Sequence, residues 1–320
     1  TLRQKGVDKS YFDELAHVLN LDFRYPSITR DMGYVEWLAD TMIRVPVAHT
    51  LDAVNIADRY DAQAVKDRLA MMTPQNARIW YISPKEPHNK VAYFVDAPYQ
   101  VDKISADTFA KWQKDASGIA LNLPQLNPYI PDDFTLIKSE KKYTHPELIV
   151  DEQNLRLVYM PSRYFASEPK ADITLILRNP KAMDSARNQV MFALNDYLAG
   201  IALDQLSNQA AVGGISFSTG ANNGLMLNAN GYTQRLPQLF DALLQGYFSY
   251  TPTEEQLEQA KSWYLQMMDS ADKGKAYEQA IMPVQMLSQV PYFQREDRKA
   301  LLPSITLKEV MDYRDRLKTG

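Results

Sequence analysis

Cysteine is absent from all 320 residues. That excludes disulfides, thiolate metal sites and a cysteine nucleophile, and it leaves the redox compartment open. Histidine is scarce, with four copies: His17, His49, His88 and His145. No two of them stand four residues apart, so neither HExxH nor the inverted HxxEH occurs. Long apolar runs are missing as well. None approaches the ~18 residues that span a bilayer, because Asn, Asp, Gln or Lys interrupts each one. Positive charge is not in excess: the formal net charge is -4 and the pI about 5.7. The composition therefore gives no general electrostatic reason to bind nucleic acid. No GxGxxG or GxxxxGK[ST] phosphate loop is present, and no charged-then-apolar leader follows Thr1. A mature product or an excerpt of a longer chain is expected.

What is present is an ordinary folded composition, 45% hydrophobic and 23% charged. The length predicts about two domains. The first third reads mostly as helix. Phe12, Leu15, Ala16, Leu19 and Phe23 follow helical spacing, so one stripe can face a core. Leu38, Ala39, Met42 and Ile43 make a second stripe that Pro46 ends. A third helix is expected over Asp61–Met71, and Ala77–Ile82 then reads as a short buried strand. A short helix follows near Thr108–Lys114. Leu123–Asp133 holds three prolines and cannot be a regular element. An interdomain connection is placed between roughly Asp133 and Glu152, across the charged stretch Lys138–Lys142.

Beyond it, period-two alternation marks strands at 155–159 and 173–177. Asp184 is the expected N-cap of a long helix. Gly213-Gly214 closes that helix, and a hairpin follows, turning at Asn223-Gly224, where positive φ is tolerated. Helices are expected over about 234–248, from the capping box Thr253–Gln256, through Ile281 and Leu287, and from a second capping box at Thr306–Glu309. In the first part a helix precedes the expected strand 77–82. The last helix is expected to feed an equivalent strand, which suggests repeated domains with the second cut short. Strands followed by runs of helices predict an α+β fold, mainly antiparallel sheet covered by helices.

The residue types that could carry chemistry have structural roles in this sequence. Gly214-Ile-Ser216 lacks the second glycine of GxSxG, so Ser216 and Ser218 read as polar strand positions. Glu254, Glu255 and Glu258 lie in the opening turns of a helix, where negative charge suits the macrodipole. Asp132 and Asp133 cluster in a loop. Methionines and tyrosines spread along the elements read as core packing. No catalytic residue and no metal ligand is expected in this chain, and nothing marks which residues touch substrate.

Two stretches carry a family resemblance. QLSNQAAVGGISFSTGANNGLMLNANGYTQRLPQLFDALL, Gln205–Leu244, shows a long helix, a small-residue junction, a hairpin, an N-G-Y turn and a helix. WQKDASGIALNLPQLNPYIPDDF, Trp112–Phe134, is similar to a run into a central connection. Together they resemble the pitrilysin/insulin-degrading-enzyme family of zinc peptidases, over essentially the whole chain. The resemblance implies four related α+β domains in two bowl-shaped halves around a chamber. It implies zinc held by an HxxEH motif in the first domain, outside this segment, and zinc-water attack on a peptide carbonyl. It implies small peptide substrates, the remaining domains of the same polypeptide as partners, and a bacterial periplasmic location. Residues 1–134 would end the second domain, 135–153 would be the linker, stiffened nearby by prolines, and 154–320 would make most of the third domain. The helix at 184–206 occupies the HxxEH place of the repeat, but offers Gln189, Asn195 and Asp196 and no histidine. The segment is thus expected to supply chamber wall and hinge. A stand-alone non-catalytic member, acting as a structural or peptide-binding subunit, is the alternative. An unrelated peptide-binding module is the third reading.

Overall fold

A computed structural model describes residues 6–26, 30–119, 122–139, 141–271, 273–288 and 290–318. Ala120 and Leu121, within the Trp112–Phe134 stretch, and Glu140, within Lys138–Lys142, lie outside the described residues. The chain divides into two compact units, Thr1–Leu126 and Asn127–Gly320.

The first unit is helical. It contains α1 (Lys9–Arg24), α2 (Asp31–Arg44), α3 (Ala62–Met71) and α4 (Ala106–Ala116). Side-chain caps explain three of the starts. Asp8, Asp61 and Ser105 each accept a hydrogen bond from a backbone N–H of the first turn, satisfying donors that the helix leaves unpaired. α2 stops at Arg44, two residues before Pro46. A small antiparallel hairpin, β1 (Lys90–Ala92) and β2 (Ala97–Tyr99), was not foreseen from the sequence. Its turn places Asp96 at φ 48°.

The helical stripes are present, but little of them is buried. Leu21, Thr41 and Thr50 are the buried side chains in this unit among the described residues, while Leu15 and Ile43 are 59% and 84% exposed. The expected buried strand at Ala77–Ile82 is corrected here. These residues belong to no sheet, and Ile79, Trp80, Tyr81 and Ile82 are all exposed. The sequence pattern of a strand is not sufficient to make one. A ladder partner has to stand alongside, and none does among the described residues.

The second unit is α+β, as the sequence predicts. β3 (Glu147–Glu152) and β4 (Leu155–Tyr159) form one antiparallel pair. β3 begins inside the interval read as connection, because its six residues ELIVDE carry charge at three positions and hide the alternation. β5 (Lys170–Arg178), β6 (Ile215–Ala221) and β7 (Gly224–Tyr232) form an antiparallel sheet in the order β5-β7-β6. α5 (Ala186–Val212) precedes β6, and α6 (Leu236–Ser249), α7 (Glu254–Ala271), α8 (Ala276–Ser288), α9 (Arg295–Leu301) and α10 (Leu307–Leu317) follow β7. The N-cap of α5 is Ser185, not Asp184: Ser185 Oγ accepts from Asn188 N–H, and Asp184 instead takes the Asn188 side chain. Both capping boxes form, at Thr253–Gln256 and Thr306–Glu309.

One face of the sheet packs on the helices. Leu225, Leu227 and Ala229 of β7 are fully buried, and α5 packs against β6, α6, α7, α9 and α10. The hairpin turn needs positive φ at Asn223 (50°) and Gly224 (139°), which explains the Asn-Gly pair. Gly213 has a different reason. A Cβ there would stand 2.4 Å from the Tyr129 carbonyl oxygen. The bare glycine admits a strap, residues 127–134, onto this unit. Asn127 Nδ2 donates to the Gln209 carbonyl at the end of α5 at 2.7 Å, and Asn127 Oδ1 accepts from Tyr129 N–H. Arg235 donates to the Ile130 carbonyl. Tyr129 and Ile130 are 7% and 9% exposed. We expect Gly213→Ala to displace this strap. Limited proteolysis should cut within 127–134 faster in the variant, and an unchanged cutting rate would show that the close approach is not needed.

Candidate functional site

The four histidines are scattered. His49 Nδ1 lies 3.2 Å from Asp52 Oδ1, and His145 Nδ1 lies 3.0 Å from Thr144 Oγ1. His88 is exposed, and His17 sits on α1. Among the described residues, no three His, Asp or Glu side chains gather as a metal would require. The carboxylate clusters have structural partners. Asp133 Oδ1 accepts from Thr135 N–H and its hydroxyl, which holds the carboxyl below the usual range. Asp132 pairs with Arg235, and Glu258 with Lys261. Glu254 and Glu255 stand in the first turn of α7. Ser216 Oγ donates to the side-chain oxygen of Asn230, an amide and not a base.

The remaining candidates were on α5, and here the structure brings residues together that the sequence left apart. The first half of α5 is largely buried, with Val190, Met191, Phe192, Leu194 and Leu198 in the core, whereas most residues after Ala199 are exposed. That half lies inside the core. At its middle sits Asn195, fully buried. Its Nδ2 donates to Tyr247 Oη at 2.9 Å, and the Tyr250 hydroxyl donates to its Oδ1 at 2.7 Å. The Tyr247 hydroxyl passes the chain on to Asp196 Oδ1 at 3.3 Å, and Thr219 Oγ1 donates to the same oxygen at 2.6 Å. Arg314 of α10 closes the far side, donating to the Tyr250 carbonyl at 2.6 Å with its guanidinium over the Tyr250 ring. Helix α5, strand β6, the end of α6 and α10 thus meet at one polar node. Gln189 is not part of it; its side chain reaches the Met183 carbonyl.

Electrostatics follow from burial. Desolvation pushes the Asp196 carboxyl above the usual carboxylate range, and the bonds from Thr219 and Tyr247 offset only part of this. Burial, and then the neighbouring Asp196 charge, pushes the Tyr247 phenol well up. Tyr250 is raised by burial against the opposing pull of Arg314. These groups do not fit zinc. The node offers a hydroxyl, two phenols, an amide and one carboxylate, and the imidazoles that zinc prefers are absent from it. Its bonds are used to hold elements together. Tyrosine at 247 and 250 was the signal that sequence reading missed, because spacing cannot tell a packed tyrosine from one that donates across a core.

The first unit has one further feature, a cavity of about 480 Å³ lined by Phe23, Pro26, Tyr34, Trp37 and Leu51, with Asp22 and Asn55 at its wall. The Tyr34 and Trp37 rings stack at 5.9 Å.

Fold and node define a class first: an α+β module whose long helix is tied by buried polar bonds at Asn195 and Asp196 to the elements around it. Comparison with known proteins then makes this more particular. Residues 23–300 match the family described as middle or third domain of peptidase M16, and the chain belongs to that family. It is 86% identical over 319 residues to Protease 3 of Shigella flexneri and 85% identical to Protease 3 of Escherichia coli K12, covering 100% of this chain and 33% of either relative. Insulin-degrading enzyme-like 2 of Arabidopsis thaliana is 27% identical over 247 residues, 76% of this chain and 26% of that protein. The crystal structure of pitrilysin aligns at 85% identity with a TM-score of 0.79, over 99% of this chain and 34% of that one. The chain spans about a third of the length of the relatives it matches most fully.

Two outcomes are expected at the node. Tyr247→Phe leaves the buried Asn195 donor without its acceptor and should cost about 1–3 kcal/mol, read as a lower urea midpoint. Asp196→Asn tests the charge. A carboxyl raised on folding contributes stability that is full below its unfolded value and is lost as pH rises through the folded one. The stability of the native chain relative to Asp196→Asn should therefore grow as pH falls from neutral to about 4. A pH-independent difference would remove Asp196 from the account.

Proposed function

We propose that this chain is the non-catalytic middle portion of a zinc metalloendopeptidase that degrades small polypeptides in an enclosed chamber, and that it supplies wall and hinge between the two halves. The observation that carries this reading is the match to proteins named Protease 3 along the whole chain, at a third of their length. The first unit adds physical support. Trp80, Ile82, Tyr93 and Phe94 are 81%, 93%, 88% and 92% exposed. Burying four such side chains is worth roughly 6–12 kcal/mol as an upper bound, enough to favour docking against further protein. Tyr93 and Phe94 meet edge to face, with ring centroids 5.0 Å apart. The natural partners are the remaining domains of the same polypeptide.

In this reading zinc is the cofactor of the longer polypeptide and is held outside this segment. The location is the bacterial periplasm. Residues 1–134 end one family domain, 135–153 connect, and 154–320 make most of the next. The 127–134 strap is bonded to the second unit through Asn127 and the Ile130 carbonyl. Chamber closure would select substrates by size, since a peptide has to fit before the halves meet.

The test compares two proteins. The longer polypeptide should carry an HxxEH motif upstream and cleave small polypeptides in a chelator-sensitive way. This chain alone should cleave none and, after dialysis at neutral pH, hold no stoichiometric zinc by metal analysis. One tightly held zinc per chain would overturn the reading. A longer polypeptide lacking HxxEH would point instead to a non-catalytic member acting as a structural subunit.

A further inference from the structure

We propose that the outer edge of β6 takes an extended, uncharged stretch of peptide as an added strand; this rests on the peptide-handling role above and deepens it. The strand order β5-β7-β6 leaves two edges, and no strand pairs with the outer side of β6 among the described residues. The two edges differ in chemistry. β5 opens with Lys170, carries Asp172 and closes with Arg178. Charges of this kind guard an edge against pairing. β6 reads ISFSTGA, with no charge and no proline. It lacks every sequence device that normally blunts an exposed edge.

The hairpin geometry fixes which main-chain groups face outward. Asn222 N–H donates to the Gly224 carbonyl at 3.0 Å, closing the turn. Opposed residues alternate between bonded and non-bonded pairs from there. Ser216, Ser218 and Gly220 therefore spend their main-chain bonds on β7, opposite Asn230, Asn228 and Met226. Ile215, Phe217, Thr219 and Ala221 turn theirs to the open edge. The other side of β7 agrees. Asn179 N–H donates to the Asn223 carbonyl at 2.8 Å, which assigns the odd-numbered residues of β7 to β5 and the even-numbered ones to β6.

The open edge runs over seven residues, about 24 Å at strand rise. On the sheet face turned away from α5 its side chains, Ser216, Ser218 and Gly220, are small. The strand is also held in place: Thr219 Oγ1 bonds Asp196, which ties β6 to the buried α5. A preformed, neutral row of donors and acceptors is what strand addition recognises. A charged peptide would gain no counter-charge there, so the occupant is uncharged at the paired residues.

The experiment is residue-resolved hydrogen exchange on this chain and on the longer polypeptide that carries it. The probe is an acetylated, amidated heptapeptide of alternating threonine and valine. The same peptide N-methylated at every residue is the control, since it has no donors to pair. With the probe, exchange at Phe217, Thr219 and Ala221 should slow about tenfold, while Ser216, Ser218 and Gly220, already in the ladder, stay unchanged. The control should slow none of them. Ser218→Lys should abolish the effect without moving the thermal midpoint. Uniform slowing across 215–221, no slowing, or outward amides already protected in the longer polypeptide without probe would each overturn the proposal. Peptide cleavage by the longer polypeptide is scored separately. Cleavage without edge protection sinks only the edge assignment, whereas failure of cleavage and absence of HxxEH sink the function proposed above.

Discussion

The second unit depends on how α5 is held. The stretch of α5 from Val190 to Ala199 is largely buried, and apolar packing alone is tolerant of small slips in rotation or register. Asn195 and Asp196 supply the missing specification. An amide with buried partners on two tyrosines, next to a carboxylate with a threonine partner, is satisfied in one arrangement only. Any slide or turn of the helix would leave a buried donor or a desolvated charge unpaired, which costs more than the bonds themselves contribute. The sheet, α6 and α10 are positioned relative to that node.

The cost of this arrangement is a buried carboxyl that would prefer to be protonated. The energetics are tolerable because the hydroxyls of Thr219 and Tyr247 donate to it. The same place in the family's active repeat is where the resemblance puts metal ligands. Here that part of the helix fixes neighbouring elements.

The first unit shows the opposite balance. Three of its four described helices start on a side-chain cap, yet few side chains are buried. Local bonding is enough to form helices with good caps, but a core needs a second layer. The exposed Ala77–Ile82 stretch makes the same point for strands. Its apolar run is that of a buried strand, and its burial is missing. Among the described residues, the surface it would cover is not there.

Helix positions, the capping boxes at Thr253 and Thr306, the Asn223-Gly224 turn and the α+β class were legible in the sequence, because each rests on residues within a few positions of one another. So was the lack of a histidine pair, which is a matter of spacing alone. β1, β2 and β3 were not legible, since short or charged strands hide period two. The node was not legible either. Asn195 and Tyr250 are 55 residues apart, and nothing local says that one faces the other. The strap at 127–134 needed both Gly213 and Tyr129 to be seen at once. Local chemistry determined the elements; only tertiary structure decided which polar groups met, because desolvated hydrogen bonds between distant residues exist only after the chain has packed.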